Sequence, residues 1–429
     1  MNKATMIAVL AASSLLFAEA YQVNSLSAKQ LGMGHTGAGL KLGAESMHFN
    51  PGGFGFSEEK LDISAGATFI SPTIKISGVD TDGKKWEQRN EKGVATPMYV
   101  YAGTDALPLI NLGVSFTTPY GNSASWYPNW QGAGLIQDIS LKVFAVQPTI
   151  AFSIFNIIGI GVGPTINFGN FEQSKALIGP GMFPVPGYED KSVASINLSG
   201  SAKTAVGIHT GAMINLFDKI GLGVSYRSGV KAKVQGGDAK VSHILPAPLD
   251  AMLPPQITML DGVKFNAELP LPSNLNIGTS LRINDRLLFA FDWQYVGWGA
   301  YDSLRMTFKD IPVAPEVVMD IDQTAKKGYE NSSAFRFGTQ IGLTEKFDLR
   351  AGVYYDQTPV PAEWLNPETP STDKVGITLG ASFSPIDALS IDAAFLFVSG
   401  SRSGGKEVGF EADYKALAIA PSIGLNLKF

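Results

Sequence analysis

Ser422-Ile423-Gly424-Leu425-Asn426-Leu427-Lys428-Phe429 ends the chain and decides how the rest is read. Ile423, Leu425, Leu427 and Phe429 form an apolar row; Ser422, Gly424, Asn426 and Lys428 form a small or polar one. Side chains on a strand alternate between faces, so one face meets something oily and the other something wet. A terminal aromatic would otherwise fray into solvent. Here it completes a row that reads as a wall against lipid acyl chains.

Val143 to Phe171 carries no charge, and on length alone could be a transmembrane helix. The period excludes that. Phe144, Val146, Pro148, Ile150, Phe152 and Ile154 alternate with small or polar residues, and after a turn near Asn156 the apolar Ile158, Ile160, Val162, Ile166 and Phe168 alternate with Gly159, Gly161, Gly163, Thr165, Asn167 and Gly169. Pro148, Pro164 and the glycines would break a helix. The stretch reads as a hairpin with one oily face. The same alternation runs through Phe289–Tyr295, Phe335–Leu343, Leu349–Tyr355 and Leu389–Phe397, with Asp292, Arg336, Arg350 and Asp392 on the opposite row. Charges there would be costly in a sandwich core and are natural in a wet lumen.

About fourteen such segments between 61 and 429 predict an all-β fold, a transmembrane antiparallel barrel. Several exceed the roughly 9–11 residues that cross a bilayer, so the barrel is expected to project beyond it. Short turns at Asp105–Pro108, Asn284–Arg286, Lys346 and Pro385–Asp387 alternate with long loops near 79–94, 121–138, 172–190, 238–262, 309–331, 361–373 and 403–408. That asymmetry fits insertion from the periplasm into the outer membrane of a Gram-negative bacterium. A soluble β-sandwich is the competing architecture.

Residues 1–20 have the layout of a cleaved signal peptide: a basic start at Lys3, an apolar run from Ala4 to Ala18, and Ala18-Glu19-Ala20 as the cleavage site. A membrane anchor is the alternative. Residues 21–60 do not alternate and are expected to fold into the lumen as a plug. Charged residues make up only 17% of the chain, cysteine is absent and the net charge is −5. Backbone pairing and packing must therefore hold the fold without disulfides, and no basic footprint for nucleic acid exists. His35, His48, His209 and His243 show neither metal spacing nor a triad partner, so no enzyme, cofactor or metal is expected. Gly32-x-Gly34-x-x-Gly37 matches a dinucleotide fingerprint as a pattern but lacks the strand of a βαβ unit.

Taken in order along the chain, these motifs resemble the outer-membrane long-chain fatty-acid transporters of the FadL type, with their toluene-admitting relatives. Leu31-Gly32, Gly37, Gly39 and Asn50-Pro51-Gly52 are similar to the family's hatch, with Gly52 where alanine is usual. Gln147–Ala151, Leu271–Gly278, Asp292–Tyr295 and Leu349–Asp356 resemble its strand motifs. The resemblance implies fourteen strands, an N-terminal hatch and lateral delivery where the third strand kinks. Thr118-Pro119-Tyr120-Gly121 occupies the matching place, where proline either breaks the ladder or merely ends a strand.

Two long loops are unexpectedly oily. One carries Leu177, Ile178, Met182 and Phe183; the other carries Ile244, Leu245, Leu249, Met252, Leu253, Ile257 and Met259. They either pack on each other as a cap or form a groove that captures a hydrophobic small molecule, adaptable through methionine. Arg282, Arg336 and Arg350 are the lumen cations that could meet a ligand carboxylate, or else pair for structure alone with lumen acids such as Asp292, Asp356 or Asp392. The expectation is passive transport of hydrophobic molecules by a monomer among outer-membrane lipid and lipopolysaccharide. A general diffusion porin, an aromatic-hydrocarbon channel and a surface adhesin are the rivals.

Overall fold

The computed structural model describes residues 20–429 except 81, 92, 108, 184, 248, 315 and 316, so the expected signal peptide and Pro108 of the first turn lie outside the described residues. In chain order the strands begin with β1 (Asp62–Thr68), β2 (Ser71–Val79), β3 (Lys85–Arg89), β4 (Met98–Leu107), β5 (Ile110–Ser125), β6 (Asp138–Ile154) and β7 (Ile158–Ile178). They continue with β8 (Ala194–Leu216), β9 (Ile220–Arg227), β10 (Val230–His243), β11 (Lys264–Leu271), β12 (Asn274–Asn284) and β13 (Leu287–Val296). The last are β14 (Ser303–Ala314), β15 (Val317–Lys326), β16 (Ser332–Thr344), β17 (Phe347–Asp356), β18 (Lys374–Ile386), β19 (Leu389–Gly404) and β20 (Ala412–Lys428).

A closed ring runs β1-β4-β5-β6-β7-β8-β9-β12-β13-β16-β17-β18-β19-β20, and β20 pairs back onto β1. Fourteen antiparallel strands thus close the barrel. The final octapeptide lies in the closing ladder, where Ser422 faces Thr68 and Lys428 faces Asp62. The remaining strands are extensions: β10, β11, β14 and β15 continue ring strands past short breaks, and the β2–β3 hairpin rides on β20. One expectation fails here. The loop anticipated at 309–331 is largely the β14–β15 hairpin, whose apolar Leu304, Met306 and Phe308 point inward and sustain it as a wall.

Within the ring the apolar row faces out: Ile208, Leu222, Ile277, Phe337, Leu379, Phe397 and Leu425 are all exposed. Ser64, Thr149, Asn274, Arg350, Asp392 and Ser422 face in and are buried. This is the polarity a bilayer imposes on a barrel. In the extensions the faces exchange. Ile196, Phe265, Phe308 and Tyr414 are buried inside, while Lys233, Lys240 and Lys264 are exposed outside. In β6 and β20 the inward row is unbroken and only its residue types change, whereas elsewhere the exchange coincides with a slip in the ladder. In β5, Asn111, Ser115 and Thr117 are buried, but beyond Pro119 it is Tyr120, Asn122 and Ala124. The breaks at Ser228–Gly229 and Pro272–Ser273 shift β10 and β11 in the same way. One extra residue moves every later side chain to the other face.

Residues 21–57 fill the lumen of the ring as short helical turns, Ala28–Leu31, Ser46–Phe49 and Pro51–Phe54 among them.

Candidate functional site: an apolar chamber above a hatch

The hatch is fastened to the wall by its own polar groups. Asn50 Nδ2 donates to Ala38 O at 2.7 Å and to Ala212 O of β8 at 3.0 Å. Its Oδ1 accepts from Gly52 N at 3.0 Å, capping the helical turn that Pro51 opens. A Cβ on Gly52 would stand 2.7 Å from Ala212 Cα, so glycine lets this turn lie directly on the wall. Asp292 Oδ2 accepts from Gly37 N at 2.7 Å and Ala38 N at 2.9 Å. The glycine pattern at 32–37 is therefore a hatch turn against a barrel carboxylate. Gln147 Nε2 donates to Met47 O at 2.8 Å, which gives its strand motif a purpose.

Above the hatch lies a polar layer that sequence reading missed. Arg227 Nη2 sits 3.2 Å from His48 O, 3.2 Å from His48 Nδ1 and 3.3 Å from His209 Nδ1. With His35, Asp292 and Arg336 it lines a cavity of about 50 Å³, space for a few waters. The anticipated lumen cations are placed differently from one another. Arg350 lies against Asp392 at 3.1 Å and Gln340 at 2.9 Å, within the wall. Arg336 lies 3.6 Å from Asp356 in the polar layer, and Arg282 lines a cavity beneath the hatch. None of the three reaches the apolar interior above.

That interior is the extracellular half of the barrel. Leu141, Val143, Phe171, Val234, Leu304 and Met306 border an almost wholly apolar cavity of about 40 Å³. The two oily loops close its top. Leu177, Ile178, Phe183, Leu245, Leu253 and Ile257 are buried in one cluster with the wall, and Leu249 and Met259 pack at its margin. Met182, Ile244 and Met252 stay more than half exposed. Leu177 and Ile178 belong to the end of β7 rather than to a loop. Most of the loops' named apolar side chains thus pack as a cap, and three remain on the surface.

A buried charged cluster lies near the end of β7, beside Leu177 and Ile178. Lys175, Lys327 and Glu368 are each less than 5% exposed. Lys327 Nζ is 3.3 Å from Glu368 Oε2, and Gln173 Nε2 donates to Glu368 Oε1 at 3.2 Å. Burial pushes the Lys175 ammonium down to about 8, Glu368 opposes that shift, and Lys327 adds to it. Lys327 is lowered by burial as well, against the pull of Glu368. Two lysines so placed share one nearby carboxylate. They escaped sequence reading because strand, break and loop bring them together across 152 and 41 residues, without a local pattern: Lys175 to Lys327 and Lys327 to Glu368.

The chamber floor meets the wall at the β5 kink. The ladder pairs Thr117 with Ala145 and next Tyr120 with Val143, leaving one extra residue at Thr118-Pro119. The β4–β5 ladder stops at Thr117. Beyond it the N-terminal segment takes the place of a strand: Val23 N donates to Pro119 O at 2.8 Å, and Gly121 N donates to Tyr21 O at 2.9 Å. Tyr21 is fully buried, edge-on to Trp298 with ring centres 4.6 Å apart, and its hydroxyl donates to Pro270 O. The kink is a seam closed from inside.

Comparison with known proteins agrees with this architecture. Residues 9–429 match the family described as outer membrane protein transport protein (OMPP1/FadL/TodX). The chain is 21% identical over 411 residues to the long-chain fatty acid transport protein of Salmonella typhi, covering 93% of this chain and 92% of that one. It is 26% identical over 252 residues to outer membrane protein P1 of Haemophilus influenzae, covering 56% of this chain and 50% of that one. The Pseudomonas aeruginosa FadL homologue superposes with a TM-score of 0.77 at 18% identity, over 95% of this chain and 99% of that one. The Pseudomonas putida toluene transporter TodX gives 0.69 at 15% identity, over 96% and 100%. The chain belongs to the OMPP1/FadL/TodX family of outer-membrane transport proteins, and is a transport channel rather than an enzyme.

Proposed function

We propose that the protein carries long-chain carboxylate amphiphiles, such as fatty acids, passively across the outer membrane. The observation that supports this most is the apolar packing of the extracellular half, with Lys175, Lys327 and Glu368 buried beside the capping residues Leu177 and Ile178; the cavity of about 40 Å³ there must widen to admit an acyl chain. Burying an acyl chain contributes about 0.8 kcal/mol per CH₂, and a buried ammonium supplies the partner a carboxylate needs. The ligand first adsorbs at Met182, Ile244 and Met252, then enters beneath the capping loops. It leaves sideways at Thr118–Gly121 once residues 21–23 withdraw from the seam and the hatch turn at Asn50-Pro51-Gly52 yields. Arg227, deeper in the lumen, offers a second cation on that route. The protein acts as a single chain, with lipopolysaccharide and phospholipid around its apolar band.

The test is a paired binding measurement. Lys175→Met with Lys327→Met should weaken a fluorescent fatty acid by about 10–100-fold, the loss expected for a buried charged hydrogen bond, and leave toluene unchanged. Equal affinity for the acid before and after substitution would assign the chamber to uncharged hydrocarbons. Deleting 244–260 should abolish uptake. A general diffusion porin would instead conduct hydrophilic ions in planar bilayers, where a plugged barrel conducts almost none.

A further inference from the structure

The outer surface just above the apolar band carries an arrangement that transport does not use. Val206 and Ile208 of β8 and Tyr226 of β9 are exposed members of the band. Immediately beyond them, on the same outward face, stand Lys203, Lys231 and Lys233. Strand register sets a row across neighbouring strands: Lys203 directly faces Lys233, Lys233 faces Glu268, and Glu268 faces Arg305. Glu268 takes Lys233 at 2.9 Å and Lys231 at 3.7 Å. Glu268 thus pairs with Lys231 and Lys233 and faces Arg305, while one strand further Lys203, the fourth of these cations, opposes Lys233 with no acid between them in the ladder.

Like charges directly opposite on adjacent strands destabilise a sheet. Nothing in the packing requires them, since all four side chains point outward from a wall whose inner face is already filled by Leu198, Val234 and Phe265. The row's height supplies the reason. It lies where the apolar band with its exposed Tyr226 gives way to polar surface, on the side of the long loops, and hence at the headgroup level of the outer leaflet. A multiply charged phosphate seated between Lys203 and Lys233 would turn the repulsion into two charge-assisted bonds, with Arg305 and Lys231 at its edges.

We propose that Lys203, Lys231, Lys233 and Arg305 form a binding site for a phosphate group of the lipid A part of lipopolysaccharide. The site rests on the outer-membrane orientation assigned above, with the long loops outside. It is independent of the transported ligand.

Binding of purified lipopolysaccharide to the full-length protein in detergent tests it. K203E/K233E/R305E should lose roughly tenfold or more in affinity, whereas K240E/K264E/K309E, the same charge change further out on the extensions, should stay within about twofold. E268Q removes the competing anion and should tighten binding, an arm that holds even if the triple variant fails to assemble. Enzymatically dephosphorylated lipopolysaccharide, and phosphatidylglycerol vesicles, should bind the parent protein weakly. Equal losses in the two triple variants, or binding indifferent to the phosphates or to Glu268, would overturn the site. Fatty-acid uptake by K203E/K233E/R305E should be unchanged, so failure of the transport reading would show separately.

Discussion

Leu379 and Phe308 are large apolar residues on strands of one continuous sheet, yet Leu379 is 59% exposed and Phe308 wholly buried. The difference is the solvent each half of the barrel meets. In the ring, lipid takes the apolar row and the hatch takes the polar one. In the extensions, water takes the charged row and the chamber takes the apolar one. One chain thus obeys two opposite burial rules; β5, β10 and β11 change rule at the slips near Pro119, Gly229 and Pro272, while β6 and β20 do so by changing residue types on an unbroken inward row.

The comparison can be broken most sharply at the seam where the halves meet. Cysteines placed at Gln22 and Tyr120, paired across the bridge between the N-terminal segment and β5, should abolish uptake when oxidised and restore it on reduction. Uptake that ignores the crosslink would remove the seam from the path. Next in size, Phe308→Ala should cost about 3–5 kcal/mol of stability, as an emptied core site does. Leu379→Arg on the lipid side should cost about 2–4 kcal/mol in urea unfolding from vesicles, while Ser242→Arg on the outer face of β10, opposite the uncharged Ser195, should cost under about 0.5 kcal/mol. Similar costs for the two arginines would contradict the assigned solvents.

Asn50→Ala should remove about 1–3 kcal/mol from hatch docking, seen as raised ion conductance while the wall stays intact by circular dichroism. The smallest effect is a pair of opposite pH slopes from Lys175. Its folded-state pKa of about 8 lies below the ordinary 10.5, so the unfolded chain binds the proton more tightly. Raising pH through that window therefore stabilises the empty protein, and at the same time weakens a carboxylate ligand by discharging the ammonium. Lys175→Arg should flatten both slopes, measured by unfolding and by fatty-acid binding between about pH 7 and 10.5.

How much of this was legible beforehand follows from the same contrast. Alternation with apolar Ile158, Ile160 and Val162 against Gly159, Gly161 and Gly163 identified the wall, because a bilayer leaves a period that needs no partner to be seen. The reversal of faces was invisible, since period two looks the same on either side of a slip, and one residue such as Gly229 carries the change. Arg336 and Arg350 read from alternation as facing the lumen among acids that include Asp356 and Asp392, and there they stand; which arginine meets which acid is set by cross-strand register. Lys175, Lys327 and Glu368 required the closed barrel before they could be seen as one site.

The plug also bears on how the molecule is built. Its anchors are spread around the circle: Asp62 on β1 holds Ala44, Ala212 on β8 holds Asn50, and Asp292 on β13 holds Gly37 and Ala38. The segment is made first, but its seat does not exist until most of the wall has been laid down. The plug is thereby tied to three separated staves at once, so it can be fully seated only where the ring has closed far enough to bring β1, β8 and β13 around it.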